Sequence, residues 1–392
     1  MTTRLQGRTF AFALVATMLV GACGGAGTTP APAVTAAPSE GAPASVGPTE
    51  PATPVPPTGN ITLTGAGATF PALLYQVWIE KFSATYPNIQ INYQAIGSGG
   101  GIKGITEQTV DFGASDAAMK DEEIAKLPAG TKMLHIPTAL GAVVVIFNVK
   151  GKDGKAITNL QLDSDNVAGL FSGAIKTWSD PKIAANNPDI AANLPDTAVL
   201  VVHRADSSGT TNAFTTYLDT VSPDWHTNVG KGKEVKWPVG NGAPGNDGVS
   251  AGVKQTDGAV GYVELEYATI SLLSSAKLKN AAGKFVPGSV DGVTAAADAI
   301  ADKFPADFRE QPIINGAGDT TYPIAAYTYV LAYVDQKDAD KGSALVAFLY
   351  WALTDGQGEE KAIGYAPLPA AIQEKALAEL HQLTTGGAPI WP

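Results

Sequence analysis

From residue 61 onward the apolar positions follow two alternating rhythms. Ile61-Thr62-Leu63-Thr64 repeats at period two and predicts a short strand. Beyond the turn Gly65-Ala66-Gly67-Ala68-Thr69-Phe70-Pro71, residues Leu74, Val77, Trp78 and Phe82 recur at helical spacing until Tyr86-Pro87, and Pro71 suits the first helical position. Ile89-Gln90-Ile91-Asn92-Tyr93-Gln94-Ala95-Ile96 alternates again. Gly97-Ser98-Gly99-Gly100-Gly101 then turns the chain into a helix carried by Ile102, Ile105 and Val110. Val110-Asp111-Phe112-Gly113-Ala114-Ser115-Asp116 predicts a strand that ends in a carboxylate, and Asp121-Glu122-Glu123 opens an acidic helical turn. Residues 134–149 form the longest apolar run of the folded part, with Val143-Val144-Val145-Ile146 as its central strand. A buried strand at 198–202 leads through His203–Thr211 into a helix with Ala213, Phe214, Tyr217 and Leu218 on one face. Residues 166–178, 291–304, 343–352 and 369–383 predict further helices, 240–248 a glycine-rich loop, and 258–264 and 324–334 strands. No internal repeat is evident. Strands alternating with helices indicate an α/β fold, in which ligands bind where strands end and glycine-rich turns begin.

Before residue 61 the rhythm is absent. Arg4 and Arg8 precede an apolar segment at 10–20 and then Gly21-Ala22-Cys23, the parts of a secretory signal. The segment is shorter than the about 20 residues a membrane span needs. Val20-Gly21-Ala22-Cys23 resembles the bacterial lipobox, in which the cysteine becomes the lipid-bearing N-terminus; the alternative is an ordinary signal peptide with an incidental cysteine. Cys23 is the only cysteine of the chain, which favours the lipoprotein reading. Residues 24–60 are almost wholly Gly, Ala, Pro, Thr, Ser and Val, a composition that cannot bury enough surface to fold and reads as a tether.

Composition narrows the picture further. A chain of 392 residues exceeds one ordinary core and suggests two domains or more. A single cysteine allows no intramolecular disulfide, and the four histidines stand at no metal-ligand spacing, so no metal and no cofactor is expected. The net charge of −11 argues against a nucleic-acid partner. It does not argue against a small anion, because distant surface charge is screened within about 10 Å while a pocket's donors act locally.

The candidate chemistry lies in the turns. His203-Arg204-Ala205-Asp206-Ser207-Ser208-Gly209-Thr210-Thr211 aims backbone N–H groups and a helix N-terminus at one point, to which Arg204 adds a charge and Ser208 and Thr210 add hydroxyls. Such a point holds an oxyanion; the plainer alternative is that Asp206, Ser207 or Ser208 caps the helix while Arg204 pairs with Asp206 on the surface. The turn at Gly97–Gly101 is neither a P-loop nor a dinucleotide fingerprint. It is either a flexible turn or a second backbone cradle, with Ser98 as its hydroxyl. Gly248-Val249-Ser250-Ala251-Gly252, with His381 downstream, fits a nucleophile elbow, and His203 stands five residues from Ser208. The elbow requires a strand directly before its serine, and the glycine-rich loop stands there instead, so the match reads as chance.

Taken together, Thr64-Gly65-Ala66-Gly67-Ala68-Thr69-Phe70-Pro71, Gly97-Ser98, Asp111-Phe112-Gly113-Ala114-Ser115-Asp116, Arg204-Ala205-Asp206 with Ser208-Gly209-Thr210, and Gly258-Ala259-Val260-Gly261-Tyr262-Val263-Glu264 resemble, in order and spacing, the phosphate-binding proteins of ABC-type phosphate importers. The resemblance spans residues 61 to about 370 and implies a two-lobed periplasmic-binding-protein fold of type II. Two crossing hinge strands would join lobe I (61–139 with 319–392) to lobe II (140–318), with inorganic phosphate in the interlobe cleft. It implies Thr69, Phe70, Ser98, Asp116, Arg204, Ser208, Gly209 and Thr210 as phosphate ligands and Asp206 as the residue that orients Arg204. It further implies a monomer that is no enzyme, carried by its lipid anchor on the extracytoplasmic face of the bacterial cytoplasmic membrane, or free in the periplasm, and serving ABC permease subunits. Asp116 is the informative member: phosphate near neutral pH keeps a proton that a carboxylate can accept and sulfate keeps none, so an ionised Asp116 would discriminate against sulfate. Gly99 and Ser207 depart from the family, which often has serine and glycine there, respectively.

Overall fold

Each alternating stretch after residue 61 becomes a strand, and each glycine-rich turn delivers the chain into a helix, in the computed structural model that describes residues 53–392 apart from 306, 310 and 311. The signal segment, Cys23 and the tether as far as residue 52 lie outside the described residues. Residues 53–60 run without helix or strand onto the body, where Asn88 Nδ2 donates to the Pro57 and Gly59 carbonyls.

Strands β1 (Ile61–Gly67), β2 (Ile89–Ala95) and β3 (Phe112–Ser115) are parallel, with β1 between the other two. Their carboxyl ends lead to α1 (Ala72–Thr85), α2 (Ser98–Thr106) and, through Asp116, the short α3 (Asp121–Ile124). Pro71 stands at the N-cap of α1, one residue before the expected place, and Leu74, Tyr75, Trp78 and Phe82 form the buried face. The long apolar run folds as the 16-residue β4 (Met133–Asn148), buried along all but its end residues. A second parallel set follows: β5 (Leu200–Arg204), β6 (Asn241–Ala243) and β7 (Ala259–Glu264), with β5 in the middle. These lead into α4 (Gly209–Val221), α5 (Gly245–Gln255) and α6 (Leu265–Ile270). β8 (Ile324–Tyr333) and α7 (Ala339–Leu353) come after.

The strand order β2-β1-β3-β8-β4-β7-β5-β6 makes one continuous sheet. Within the sheet, among the described residues, its two parallel sets are joined only by the antiparallel strands β4 and β8. β4 pairs with β8 over residues 133–142 and with β7 over residues 143–148, so one strand crosses from one set to the other. β8 returns the chain beside β3. This is the α/β two-lobed arrangement with two crossing strands. Where β4 and β8 pair, the register skips Thr138 beside Pro137, which has no N–H for the ladder, and a bulge results.

The remaining differences from the sequence reading lie at element ends. The helix expected at 166–178 is Ser164–Ser172, begun by the Asp163 carboxylate on Asn166 N–H and ended by Gly173 at φ 77°. The helix expected at 343–352 starts earlier, at Ala339, because Asp338 caps a polar first turn that carries no apolar signal. Residues 291–304 divide into Val290–Asp298 and a 3-10 turn, Ala301–Lys303. The glycine-rich 240–248 loop contains β6 and the start of α5.

Behind the second set, Phe214 of α4 stacks on Tyr262 of β7 at 4.3 Å and meets Phe171 edge-on at 4.6 Å. Tyr262 then reaches forward, its hydroxyl 2.6 Å from Thr211 Oγ1 and accepting the Arg204 N–H at 3.2 Å. The core thus fixes the opening of α4. Phe214→Ala should cost about 3–5 kcal/mol in urea unfolding, through lost burial and a cavity beneath that helix.

Candidate anion-binding site

Two sets of three parallel strands present their carboxyl ends to the site, and the helices that follow begin there. β5 extends two residues further than the apolar pattern indicated and carries Arg204, which is 3% exposed. Arg204 Nε donates to Asp206 Oδ1 at 2.7 Å and Nη2 to Asp206 Oδ2 at 2.5 Å, a bidentate pair two residues apart in sequence. Nη1 donates to Asn246 Oδ1 at 3.3 Å. Burial opposes ionisation of Asp206, but the Arg204 pairing and the Gly245 N–H at 3.1 Å hold its carboxyl below the ordinary range. The pair is therefore neither the surface contact that was the alternative reading nor a separate feature from the turn.

The Ser208 hydroxyl caps α4 by accepting the Thr211 N–H at 3.1 Å, and the Ser208 N–H donates to the Lys233 carbonyl. Capping and ligand presentation are compatible here, since the Ser208 hydroxyl proton stays available. Thr210 Oγ1 is buried without a hydrogen-bond partner. From the first set, the Ser98 hydroxyl accepts the Gly209 N–H at 3.0 Å and the Asp116 N–H at 3.2 Å, and lies 3.3 Å from Asp116 Oδ2. Ser98, Asp116 and Gly209, 18 to 111 residues apart, so become one cluster. A Cβ at Gly209 would stand 2.5 Å from that of Asp116, so only glycine allows this approach.

Thr69 and Phe70 occupy the β1–α1 turn. Their carbonyls accept the hydroxyls of Tyr267 and Tyr365, both at 2.6 Å, and Thr69 Oγ1 accepts the Asn246 N–H at 3.3 Å. The Phe70 ring fills the space left by Gly141 on β4, where a Cβ would come within 2.7 Å of it.

Asp116 is 3% exposed. Oδ1 accepts the Thr328 hydroxyl at 2.9 Å, Oδ2 faces Ser98, and Arg204 acts on it through space. Burial outweighs all three and pushes its carboxyl up to about 7.

All the ligands implied by the resemblance thus stand around the ends of the two parallel sets. Asn246, Thr328, Tyr262 and Tyr267 join them without having been singled out from the sequence. Asn246 could have been found only by recognising Asn241–Ala243 as a strand, and that stretch lacks the apolar alternation that marks one. The hydrolase constellation does not assemble. Ser250 lies within α5, His381 stacks on Trp391 at 3.8 Å, and His203 stacks on Trp237 at 4.8 Å with Nδ1 against the Arg204 carbonyl.

Two ion pairs tie the helix Asp121–Ile124 to distant loops. Lys233 Nζ lies 2.7 Å from Glu123 Oε1, and Arg309 Nη2 lies 2.6 Å from Asp121 while also donating to the Met119 carbonyl at 2.9 Å. The departures Gly99 and Ser207 meet each other: Gly99 N–H donates to the Ser207 carbonyl at 2.9 Å, and a Cβ at 99 would fall 2.3 Å from Ser207 Cβ. The serine has in effect changed sides. Gly99→Ser alone should therefore destabilise the protein by about 1–3 kcal/mol, and the double variant with Ser207→Gly should recover most of that loss in a melting double-mutant cycle.

The PBP superfamily domain matches residues 37–355 of this chain. The Phosphate-binding protein PstS of Pasteurella multocida is 40% identical over 320 residues, covering 81% of this chain and 89% of its own length. That of Methanocaldococcus jannaschii is 36% identical, covering 83% and 87%. Among solved structures, a phosphate-binding protein from Stenotrophomonas maltophilia superposes with a TM-score of 0.64 at 24% identity, covering 84% of this chain and 96% of that one, a likeness of fold. The chain belongs to the PBP superfamily and, within it, to the family of the phosphate-binding proteins PstS.

Proposed function

We propose that this chain binds inorganic phosphate in the cleft between lobe I (61–139 with 319–392) and lobe II (140–318) and delivers it to the membrane subunits of an ABC-type importer, catalysing no reaction itself. The observation that carries the reading is a buried carboxyl, Asp116, set opposite a buried guanidinium where donors from both strand sets meet. A site for a fully deprotonated anion has no use for such a carboxyl, whereas a protonated oxyanion can give it a hydrogen bond. The names of the relatives support phosphate as that oxyanion.

Thr69, Phe70, Ser98, Ser208 and Thr210 supply neutral donors, Gly209 adds its N–H on giving up the bond to Ser98 Oγ, Arg204 supplies the charge, Asp206 its orientation, and Asp116 the acceptor. The protein acts as a monomer at the extracytoplasmic face of the bacterial cytoplasmic membrane, or in the periplasm, with Cys23 as lipid anchor and residues 24–60 as tether. Closure of the lobes around the ligand makes the form that the permease subunits recognise. The Lys233–Glu123 and Arg309–Asp121 pairs support the closed state, because each joins residues of opposite lobes.

The protonation of Asp116 sets the sense of the pH dependence. Above about 7 the carboxyl is ionised, accepts from phosphate and repels sulfate; below about 7 it carries a proton that it can donate to either anion. Calorimetric competition on anion-stripped protein should therefore show the phosphate preference largest at alkaline pH and falling as pH drops through 7. Asp116→Asn, a permanent donor, should bind sulfate at least about tenfold better than wild type at pH 8, a difference of about 1.4 kcal/mol. Sulfate selectivity unchanged by that substitution would sink the assigned role, and silence of the wild type toward phosphate would sink the ligand. For closure, the Lys233→Ala, Arg309→Ala double variant should show a larger radius of gyration than wild type in phosphate-free X-ray scattering and compact again when phosphate is added; equal compactness of the two free proteins would show that these pairs do not hold the lobes together.

A further inference from the structure

A count of donors around Arg204 leads to a residue that none of the motifs contains. A guanidinium has five N–H groups. Two are spent on Asp206 and one on Asn246, which leaves one on each Nη for a ligand. Asn246 is 0% exposed and sits in the first turn of α5. Arginine donates only, so the atom of Asn246 that faces Nη1 must be the carbonyl oxygen, and this fixes the orientation of its carboxamide. The amide nitrogen Nδ2, with two N–H groups, is then left buried and without an acceptor among the described residues.

A buried NH2 without an acceptor is costly, and natural structures keep few of them. Thr210 Oγ1, also buried and unpaired among the described residues, opens α4 as Asn246 opens α5. Both are donors at helix N-termini, and α4 and α5 follow the neighbouring strands β5 and β6, of which β5 carries Arg204. One acceptor between them would satisfy both, together with the two free N–H groups of Arg204. The backbone N–H of Asn246 meanwhile donates to Thr69 Oγ1, so that hydroxyl's own proton is directed elsewhere than to Asn246.

We propose that Asn246 is a further ligand-touching residue of this site, holding Arg204 through Oδ1 and donating through Nδ2 to the oxyanion that Arg204 and Thr210 also receive. The inference rests on the phosphate reading and adds to it a fourth helix N-terminus, that of α5. It also makes Asn246 a tie across the cleft, because the same residue orients Arg204 and engages Thr69 of the other strand set.

The test is calorimetric titration of inorganic phosphate into the anion-stripped full chain, as wild type, Asn246→Ala and Asn246→Asp. It is combined with NMR of the Asn246 side-chain amide, assigned by its loss in the alanine variant. Asn246→Ala should weaken phosphate about tenfold, and Asn246→Asp, which keeps the acceptor for Arg204 but loses the donor and gains a charge, about a hundredfold at pH 8, with recovery toward pH 5. In the wild type, phosphate should produce a through-hydrogen-bond coupling between 31P and the Asn246 amide nitrogen, a signal that a role confined to orienting Arg204 would not produce. Melting curves show whether each variant folds, and the isosteric aspartate keeps the test open if the alanine variant does not. Tight phosphate binding by the wild type with the aspartate variant within about twofold of it overturns the role of Asn246 alone. Affinity loss in both variants without the 31P coupling overturns the donation by Nδ2. A wild type that ignores phosphate overturns the phosphate reading and this inference with it.

Discussion

The structure of the site depends on keeping one guanidinium buried. Arg204 cannot lose its proton, so its charge has to be matched inside the protein rather than titrated away. Asp206 does this along one edge with two short hydrogen bonds, and that pairing also fixes the plane in which the remaining N–H groups point. Asp206 offsets part of the guanidinium charge, and the field in the region is shaped by Arg204, Asp116 and the helix N-termini together. Burial holds the Asp116 carboxyl near neutrality. The site thus presents an acceptor that can hold or release its proton near neutral pH, surrounded by donors.

That arrangement is anchored to the crossing strands. Thr328 on β8 bonds Asp116, Gly141 on β4 makes room for Phe70, and β7, which pairs with β4, carries Tyr262 against Arg204 and Thr211. Glu264 at the end of β7 pairs with Val143, where β4 passes from one strand set to the other. It is fully buried, caps α6 through the Glu266 N–H, and burial raises its carboxyl well above the usual range. Side chains around the site are thus held by the strands that join the lobes, and movement of one lobe would be felt at the ligand through packed contacts rather than through a flexible loop.

The contact between Gly99 and Ser207 shows how sequence departures are to be judged. Singly, each reads as a change of loop stiffness. In space they form one exchange, since two serines would place their Cβ atoms at a separation no real pair tolerates. The small residue on one side allows the larger one opposite, at a distance where the Gly99 N–H donates to the Ser207 carbonyl.

The sequence by itself determined the α/β alternation and the position of the glycine-rich turns, and it offered Asp206, Ser207 and Ser208 as caps and Asp206 as a partner for Arg204. All of these arise between residues a few positions apart, where strand and helix periodicity fix who can meet whom. The resemblance extended that reading to residues far apart. Element ends were less legible, because polar first turns such as that after Asp338 and glycine-bearing strands such as Asn241–Ala243 carry no apolar rhythm. Tertiary structure alone decided that the Ser98 hydroxyl serves Gly209 and Asp116, that Asn246 completes Arg204, that Thr328 supports Asp116, and that Lys233 reaches Glu123. Those partners are brought together by two strands crossing between parallel sets, and local periodicity holds no record of which distant turns such a crossing will superimpose.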